Sequence, residues 1–249
     1  MSRPLTVQFV GSGDAFGSGG RLQACLSVRS PEAHVLLDCG ATSLVGLKRL
    51  ELDPRTVDAV VVSHLHGDHF GGLPFLVLDQ QFAHRERPLL VVGPPGLGDR
   101  LRQAMEVLFP GSAAVERRFE LRVRELSARQ PVAVAPGLAV FAVPVVHASG
   151  APAFALRLTC GGTTLGYSGD TEWTDALLEV SEGADLFVCE AYTVDRPLKY
   201  HLSYTSIPRA RLRCRRLVLT HPGPQVLERR AALQAELAED GLVVVLEGR

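Results

Sequence analysis

Three histidines and an aspartate lie within six positions of the segment SHLHGDHFGG, from Ser63 to Gly72. The whole chain has only eight histidines, so this local concentration is unlike its average composition. Imidazoles and a carboxylate crowded onto one turn would repel one another or compete for partners unless a cation organised them. The pattern His64-x-His66-x-Asp68-His69 therefore predicts a metal site.

The spacing of these side chains predicts two metal ions. The ring nitrogens of His64 and His66 can converge on one ion, whereas Asp68 and His69 follow a glycine and are better aimed at a second. Two ions need more ligands than this segment supplies. Three further candidates each follow an apolar run, namely His147 after FAVPVV, Asp170 after TTLGYSG and His221 after RLVLT. Five histidines and two carboxylates are typical of a two-metal hydrolytic site.

Short apolar runs alternate with amphipathic stretches that end at glycine or proline, which predicts an α/β architecture. The predicted strands are LTVQFV, HVLLD, DAVVVS, LLVVG, FELRVREL, LAVFAVPVV, AFALRL, TTLGYS, DLFVCE, RLVLT and LVVVLE. Helices are predicted to begin near Ala41, Gly71, Leu97, Trp173, Ser206 and Gln225. The histidine cluster then follows the carboxyl end of a strand, where α/β folds bind ligands. No linker-like segment divides the chain, so one domain over 1–249 is expected.

Composition excludes several other classes of protein. The chain has 249 residues, is 46% hydrophobic and carries a formal charge of −1. No apolar run approaches the roughly 18 residues of a membrane span, and the start MSRPLTVQFVGSG is broken by glycine too early for a signal peptide. The five cysteines form no CxxC pair, which argues against a disulfide framework and a thiolate zinc site. A cytoplasmic protein with reduced cysteines and no membrane partner is expected.

Several short patterns together carry a family resemblance. They are FVGSGDAFGSGGR, LLDCG, SHLHGDHFGGLP, PVVHASG, YSGDT, CEAY, HLS, LTH and EDGL. With them the chain resembles the metallo-β-lactamase-fold hydrolases along essentially its whole length, and is most similar to their ribonuclease Z and small phosphodiesterase branch. The resemblance implies a four-layer αββα sandwich of two similar halves, with a dinuclear site along one edge between them.

The resemblance also implies which residues bind each metal. It places His64, His66 and His147 on one ion, Asp68, His69 and His221 on the other, and Asp170 between the two. Zinc is the expected metal, because imidazoles and carboxylates are borderline ligands, and manganese or iron would also accept them. Because relatives of this fold are often dimers, the resemblance allows a homodimer.

The expected chemistry is hydrolysis. A water that bridges two cations is acidified towards hydroxide near neutral pH, and the same cations polarise a phosphoryl or carbonyl oxygen. Asp68 could accept the proton of this water and orient it. The leaving group also needs a proton, and the resemblance points to His201 in KYHLSY as its donor, with Glu190 of CEAY holding the imidazole. The segment HLS departs here from the usual HST or HLT pattern of the family.

A small phosphodiester, such as a cyclic nucleotide or a cyclic sugar phosphate, is the expected substrate. The ribonuclease Z alternative requires a long arm between the third-motif histidine and the bridging aspartate, but only 23 positions separate His147 from Asp170. The near-neutral charge also gives little support for a large RNA partner. Lactones and thioesters remain alternatives, although VVHASGAP lacks the PGHTxG-like loop of many such enzymes. A non-catalytic processing or scaffolding subunit is the alternative from another class, and the complete ligand set argues against it.

The other charged motifs predict structural roles. Asp38 in LLDCG is expected to be a buried carboxylate rather than a ligand, hydrogen-bonded by loop amides. Arg209, Arg213 and Arg216 have helical spacing and are expected on a solvated helix face. His34 matches none of the site patterns and is expected to be a bystander.

Overall fold

The computed structural model describes residues 4–247 of the chain. The strands in this range are β1 (Leu5–Gly11), β2 (Cys25–Arg29), β3 (His34–Leu37), β4 (Ala59–Val61), β5 (Leu89–Gly93), β6 (Leu121–Glu125), β7 (Pro131–Ala135), β8 (Leu138–Pro144), β9 (Phe154–Cys160), β10 (Thr163–Tyr167), β11 (Leu186–Glu190), β12 (Leu217–Thr220), β13 (Glu236–Leu237) and β14 (Val243–Leu246). The α-helices are α1 (Ser43–Arg49), α2 (Gly67–Phe70), α3 (Leu73–Phe82), α4 (Leu97–Leu108), α5 (Ala176–Ser181) and α6 (Pro224–Glu228). None of these helices has the length and apolar composition that crossing a membrane requires.

The strands form two seven-stranded sheets of similar design. The first has the order β14-β1-β2-β3-β4-β5-β6 and the second the order β13-β12-β11-β10-β9-β8-β7. In the first sheet β1 to β3 are antiparallel and β3 to β6 are parallel. In the second sheet β7 to β10 are antiparallel and β10 to β13 are parallel. The two similar halves that the resemblance implies are confirmed.

Three apolar clusters separate the four layers. The central cluster joins the facing sides of the two sheets, with Phe9 and Val61 from the first sheet and Leu156 and Val188 from the second. A second cluster packs α1, α3 and α4 on the outer side of the first sheet. A third packs α5 and α6 on the outer side of the second sheet. This arrangement is the αββα sandwich.

All eleven predicted strands occur, whereas β2, β7 and the short β13 were not predicted. The helix predicted near Ser206 is wrong. Only two 3-10 turns form there, Tyr204–Ser206 and Arg209–Arg211. Pro208 explains the difference, because the residue before a proline avoids the helical conformation, and Ile207 is indeed extended.

Candidate metal centre

The carboxyl ends of parallel strands deliver most of the predicted side chains to one edge of the sandwich. Ser63 and His64 follow β4, and the predicted aspartate and histidine of the second half follow β10 and β12. Neighbouring parallel strands point the same way, so residues just beyond them meet at the same edge. His147 follows β8. This strand is antiparallel to β9, which is antiparallel to β10, so β8 runs in the direction of β10 and ends at the same edge. The structure thus brings together all seven residues that the resemblance proposes as ligands.

The first cluster consists of His64, His66 and His147, whose donor atoms lie within 4.8 Å of one another. Nε2 of His147 lies 2.9 Å from Nδ1 of His66. Nδ1 of His147 lies 2.8 Å from the carbonyl oxygen of Tyr200, to which it donates a hydrogen bond. Because that bond fixes the proton on Nδ1, Nε2 is left with its lone pair towards the cluster. The cluster has the composition of a three-imidazole metal site.

The second cluster consists of Asp68, His69, Asp170 and His221, and all four side chains are buried. Nε2 of His69 lies 3.3 Å from Asp68 Oδ2 and 3.2 Å from Asp170 Oδ1. Nε2 of His221 lies 3.5 Å from Asp170 Oδ2. Two carboxylates and two imidazoles around one point are a donor set that divalent transition metals accept.

Asp170 lies between the two clusters. Its Oδ2 atom is 3.8 Å from Nε2 of His64 in the first cluster and 3.5 Å from Nε2 of His221 in the second. Burial opposes the ionised carboxylate, but His221 and His69 hold the pKa of Asp170 well below its usual range. An ionised Asp170 is therefore placed to contact cations on both sides.

The protonation states of His64, His147 and His221 also suit a metal. Burial and the neighbouring His69 hold the pKa of His64 well below its usual value, and burial lowers the pKa of His147 and His221. Neutral imidazole is the form that binds metals. Burial acts against a charged His69 as well, but the carboxylates of Asp170, Asp68 and Asp38 raise its pKa well above the usual value.

Unpartnered polar atoms test whether these residues fit a metal. Among the described residues, Nε2 of His64 is buried and has no hydrogen-bond partner, and Nε2 of His69 and Oδ1 of Asp170, although 3.2 Å apart, do not form a hydrogen bond of acceptable geometry. Buried polar atoms without a partner are rare in folded proteins and call for an explanation such as a bound ion. Because all three atoms point into the clusters, the residues fit two divalent cations.

His201 and Glu190 lie beside both clusters. Nδ1 of His201 is 3.1 Å from Oε2 of Glu190, and its ring centroid is 5.2 Å from that of His147. The backbone amide of Thr171 donates to the other oxygen of Glu190, which is fully buried. The donor atoms of His201, His147 and Asp170 are also within 4.8 Å of one another. The position of His201 is thus compatible with proton donation and with metal binding.

The charges of this pair favour a protonated imidazole. Burial acts against the imidazolium, but Glu190 and then Asp170 raise the pKa of His201 to about 9. Burial and the repulsion of Asp170 also raise the pKa of Glu190. At neutral pH the pair therefore holds a proton next to the two clusters.

Two further backbone contacts hold histidines of the site. The carbonyl of Tyr200 orients His147, and this residue has a left-handed backbone, with φ of 71°. A backbone carbonyl carries no residue identity, so no sequence signal could have revealed it. The loop containing Ser12 and Asp14 lies beside the site, because the backbone carbonyl of Ser12 accepts a hydrogen bond from the backbone amide of His221. Asp14 itself is fully buried and holds this loop through Ser18.

Comparisons with known proteins identify the family. Residues 5–239 match the family model described as anti-Pycsar protein Apyc1. The chain is 31% identical over 177 residues to the anti-Pycsar protein Apyc1 of Saccharibacillus brassicae, which covers 70% of each chain. It is 34% identical over 227 residues to the uncharacterized protein ML1173 of Mycobacterium leprae, covering 87% of this chain and 77% of that protein.

Solved structures show the fold. The metallo-β-lactamase fold protein YhfI of Bacillus subtilis superposes with a TM-score of 0.80 at 21% identity, covering 98% of this chain and 100% of that one. The short form of human tRNase Z superposes with a TM-score of 0.78 at 25% identity, covering 96% and 98%. The expected resemblance is confirmed over both halves of the sandwich, and the chain belongs to the Apyc1 family of metal-dependent hydrolases with the metallo-β-lactamase fold.

Proposed function

We propose that the protein is a dinuclear metal-dependent phosphodiesterase that acts on a small phosphodiester, such as a cyclic nucleotide or a cyclic sugar phosphate. The observation that carries this proposal is the position of the His201–Glu190 pair, which lies next to both donor clusters. Neither residue of the pair follows β4, β8 or β12, the strands that precede the clustered histidines. A hydrolase needs a site that activates water and a separate group that protonates the leaving group.

The seven clustered side chains would hold the cations. His64, His66 and His147 would bind one ion and Asp68, His69 and His221 the other, with Asp170 in contact with both. Two bound divalent ions supply an activated water and polarise the phosphoryl oxygen. The chain's own contribution is to fix the ligands. Asp68 would also orient that water and accept its proton. Zinc suits this mixed donor set, as do manganese and iron.

His201 would donate a proton to the departing oxygen. The Glu190 carboxylate contacts Nδ1 of His201, so that contact directs the opposite ring nitrogen, Nε2, away from Glu190. A cationic imidazole also attracts the anionic phosphoryl group, which favours a phosphodiester over a neutral lactone or thioester. His201 is partly exposed, with 21% of its side chain accessible, so a substrate could reach it.

The size of the substrate is inferred from two features. The chain between His147 and Asp170 is occupied by the hairpin of β9 and β10, without an inserted arm. Arginines near the carboxyl terminus, which could have formed a basic surface, contact carboxylates instead. The pairs are Arg211–Asp175, Arg213–Glu182, Arg215–Asp185, Arg216–Glu236, Arg229–Asp195 and Arg230–Glu239. Paired arginines release few counterions from a polyanion, so a large RNA is not the favoured partner.

A cytoplasmic location also belongs to this proposal. Cys25, Cys39 and Cys189 are buried, and burial raises the pKa of each thiol. Buried neutral thiols act as small apolar side chains and suit a reducing compartment.

A substrate panel tests the proposed function. The purified protein, reconstituted with zinc, manganese or iron, is assayed on bis-p-nitrophenyl phosphate, 3′,5′-cyclic nucleotides, precursor tRNA, a lactone and a thioester, each with and without a chelator. Phosphodiester hydrolysis that exceeds ester hydrolysis and is abolished by the chelator is expected. Thioesterase activity well above diesterase activity, or efficient cleavage of precursor tRNA, would contradict the proposal.

A further inference from the structure

A buried carboxylate next to the metal clusters is the centre of a hydrogen-bond network. Oδ2 of Asp38 lies 2.6 Å from Nδ1 of His69, 2.7 Å from the hydroxyl of Tyr167 and 2.8 Å from the hydroxyl of Ser63. Oδ1 of Asp38 accepts a hydrogen bond of 2.7 Å from the backbone amide of Ser63. Asp38, Ser63 and His69 are completely inaccessible to solvent, so no water competes for these bonds.

The chemistry of a carboxylate determines the direction of each bond. An ionised carboxylate only accepts, so His69, Tyr167 and Ser63 must each donate to Asp38. His69 therefore carries a proton on Nδ1, and Nε2, which lies within 3.3 Å of Asp68 and Asp170, is the nitrogen left to bind a metal. A ligand histidine is commonly fixed in this way by a hydrogen bond from its other nitrogen.

The same network reaches the first cluster. Because the Ser63 hydroxyl gives its proton to Asp38, its oxygen is free to accept one from Nδ1 of His64, which lies 3.1 Å away. A proton on Nδ1 leaves Nε2 of His64 with its lone pair, 3.8 Å from Asp170. One carboxylate thus directs a histidine in each cluster.

The backbone conformation of Asp38 is also consistent with a side chain that must be held in one place. Its φ of 59° lies in the left-handed region, which is uncommon for residues other than glycine, although aspartate and asparagine adopt it more often than most. Strained conformations of this kind persist where the surrounding structure requires them, often at functional sites.

Tyr167 ties this carboxylate to the other half of the molecule. It ends β10 in the second sheet, 129 positions from Asp38, which follows β3 in the first. Burial, and then the charge of Asp38, raise the pKa of Tyr167 well above its usual value, which favours the neutral phenol that donates to Asp38.

We propose that Asp38, held by Tyr167, is the positioning residue that sets the protonated ring nitrogen of His69 and, through Ser63, that of His64, so that the opposite nitrogen of each ring faces a metal. This inference rests on the proposed dinuclear site. It assigns Asp38, Ser63 and Tyr167 no contact with the substrate.

Three isosteric or near-isosteric variants separate the branches of the network. Asp38→Asn keeps the shape of the side chain and tolerates the left-handed backbone. Its NH2 group is a donor, however, and would face N–H and O–H groups that also donate. Tyr167→Phe removes the phenol hydroxyl that holds Asp38, and Ser63→Ala removes the link to His64 together with one hydrogen bond to Asp38, whose bond from the Ser63 backbone amide stays. Tyr204→Phe is the matched control, because the hydroxyl of Tyr204 is also hydrogen-bonded, to Arg209 and Gln234, outside both clusters.

Zinc affinity at each of the two sites, measured by competition with a chelator, tests the proposal. Removal of an outer partner of a ligand histidine typically lowers metal affinity about 10- to 100-fold. We expect a loss near the upper end of that range at the second site in Asp38→Asn, and near the lower end in Tyr167→Phe. Ser63→Ala should weaken the first site more than the second, and Tyr204→Phe should stay within about twofold of the unmodified protein at both sites.

Two results would overturn the proposal. One is zinc binding in Tyr167→Phe and Ser63→Ala that matches the Tyr204→Phe control at both sites. The other is equal weakening of both sites by every variant together with a matching fall in the melting temperature of the metal-free protein, which would show a structural role alone.

A measurement on the metal-free protein keeps this inference separate from the proposed function. In the unmodified chain the Nδ1 proton of His69 should give a slowly exchanging imidazole NMR signal, which Tyr167→Phe broadens and Asp38→Asn abolishes. If the protein bound no metal, the proposed function would fail, while this signal would still support or exclude the positioning network. Absence of this NMR signal from the unmodified protein would exclude the positioning network.

Discussion

The backbone of Gly40 lies directly against that of Asp68, so that a Cβ atom at position 40 would come within 2.2 Å of the Asp68 carbonyl oxygen. The neighbouring amide of Cys39 donates a hydrogen bond of 2.6 Å to the carbonyl of His69. The segment LLDCG therefore supports the histidine loop through its backbone.

We expect Gly40→Ala to lower the free energy of unfolding by about 1–3 kcal/mol, the usual cost of forcing extra atoms into a packed region. It should also lower metal content, because the clash displaces Asp68. Gly98→Ala is the control. Gly98 lies in α4, and a Cβ atom there would make an ordinary contact of 3.5 Å with Val123 of β6. Denaturant unfolding and elemental analysis of both variants check this prediction, and equal stability of the two would contradict it.

The purified protein should hold about two transition-metal ions per chain, because seven donors exceed what one tetrahedral ion uses. His66→Ala should lower this to about one, and Asp170→Ala should weaken both sites, as Asp170 contacts a histidine of each cluster. His84→Asn is the control, since His84 is exposed and belongs to neither cluster. Elemental analysis that finds no metal, with no activity after reconstitution, would rule out the dinuclear site.

His201→Ala should lower kcat by roughly 10²- to 10⁴-fold for a substrate with an alkoxide leaving group, if His201 donates the proton. The loss should shrink for p-nitrophenolate, which leaves without assistance, and metal content should stay near that of the unmodified protein. Steady-state kinetics on both substrates and elemental analysis are the measurements.

Each other result for His201→Ala gives this residue a different role. Lost metal would make it a ligand, in line with its closeness to His147 and Asp170. Equal loss on both substrates with metal retained would make it a phosphoryl-binding group. No loss at all would make it a bystander.

His34 should make stability depend on pH. Its Nε2 lies 2.8 Å from the Ser27 hydroxyl and its Nδ1 lies 2.8 Å from the Thr56 hydroxyl, so the buried neutral ring is fully hydrogen-bonded. Burial, and then the charge of Arg29, lower the pKa of His34 to about 4. The folded state therefore resists a proton that the unfolded chain accepts below about pH 6.5.

The contribution of His34 should be complete above about pH 6.5 and disappear as the pH falls to about 4, amounting to about 3 kcal/mol at most. The measurement is denaturant unfolding of the metal-free protein between pH 7 and pH 4, beside His34→Gln. The stability of the two should converge as the pH falls. A constant difference over this interval would show that His34 does not titrate on folding.

The amino-acid sequence by itself predicted the parts of this site that depend on local order. The pattern from His64 to His69 is contained in one turn, so its chemistry is visible without a fold. His147, Asp170 and His221 could be added because each follows an apolar strand, and such strands deliver their ends to shared edges. The alternation of strands and helices likewise predicted an α/β architecture, because periodicity is a property of neighbouring residues, and the family resemblance implied the sandwich.

The helix expected near Ser206 shows where local order misleads. Arg209, Arg213 and Arg216 have helical spacing, but Pro208 interrupts the chain. Partners from separate elements then draw the arginines apart, with Arg213 beside Glu182 and Arg216 beside Glu236. Spacing along the chain could not reveal partners that are distant in sequence.

Only the tertiary structure decided how the ligand histidines are oriented. Asp38 was expected to be a buried carboxylate held by loop amides, and one amide, that of Ser63, does donate to it. Its other oxygen, however, accepts from His69 and from Tyr167, which belongs to the opposite sheet. A hydrogen bond between residues 129 positions apart exists only because two sheets pack face to face, and the central apolar core that sets their separation is a property of the whole chain.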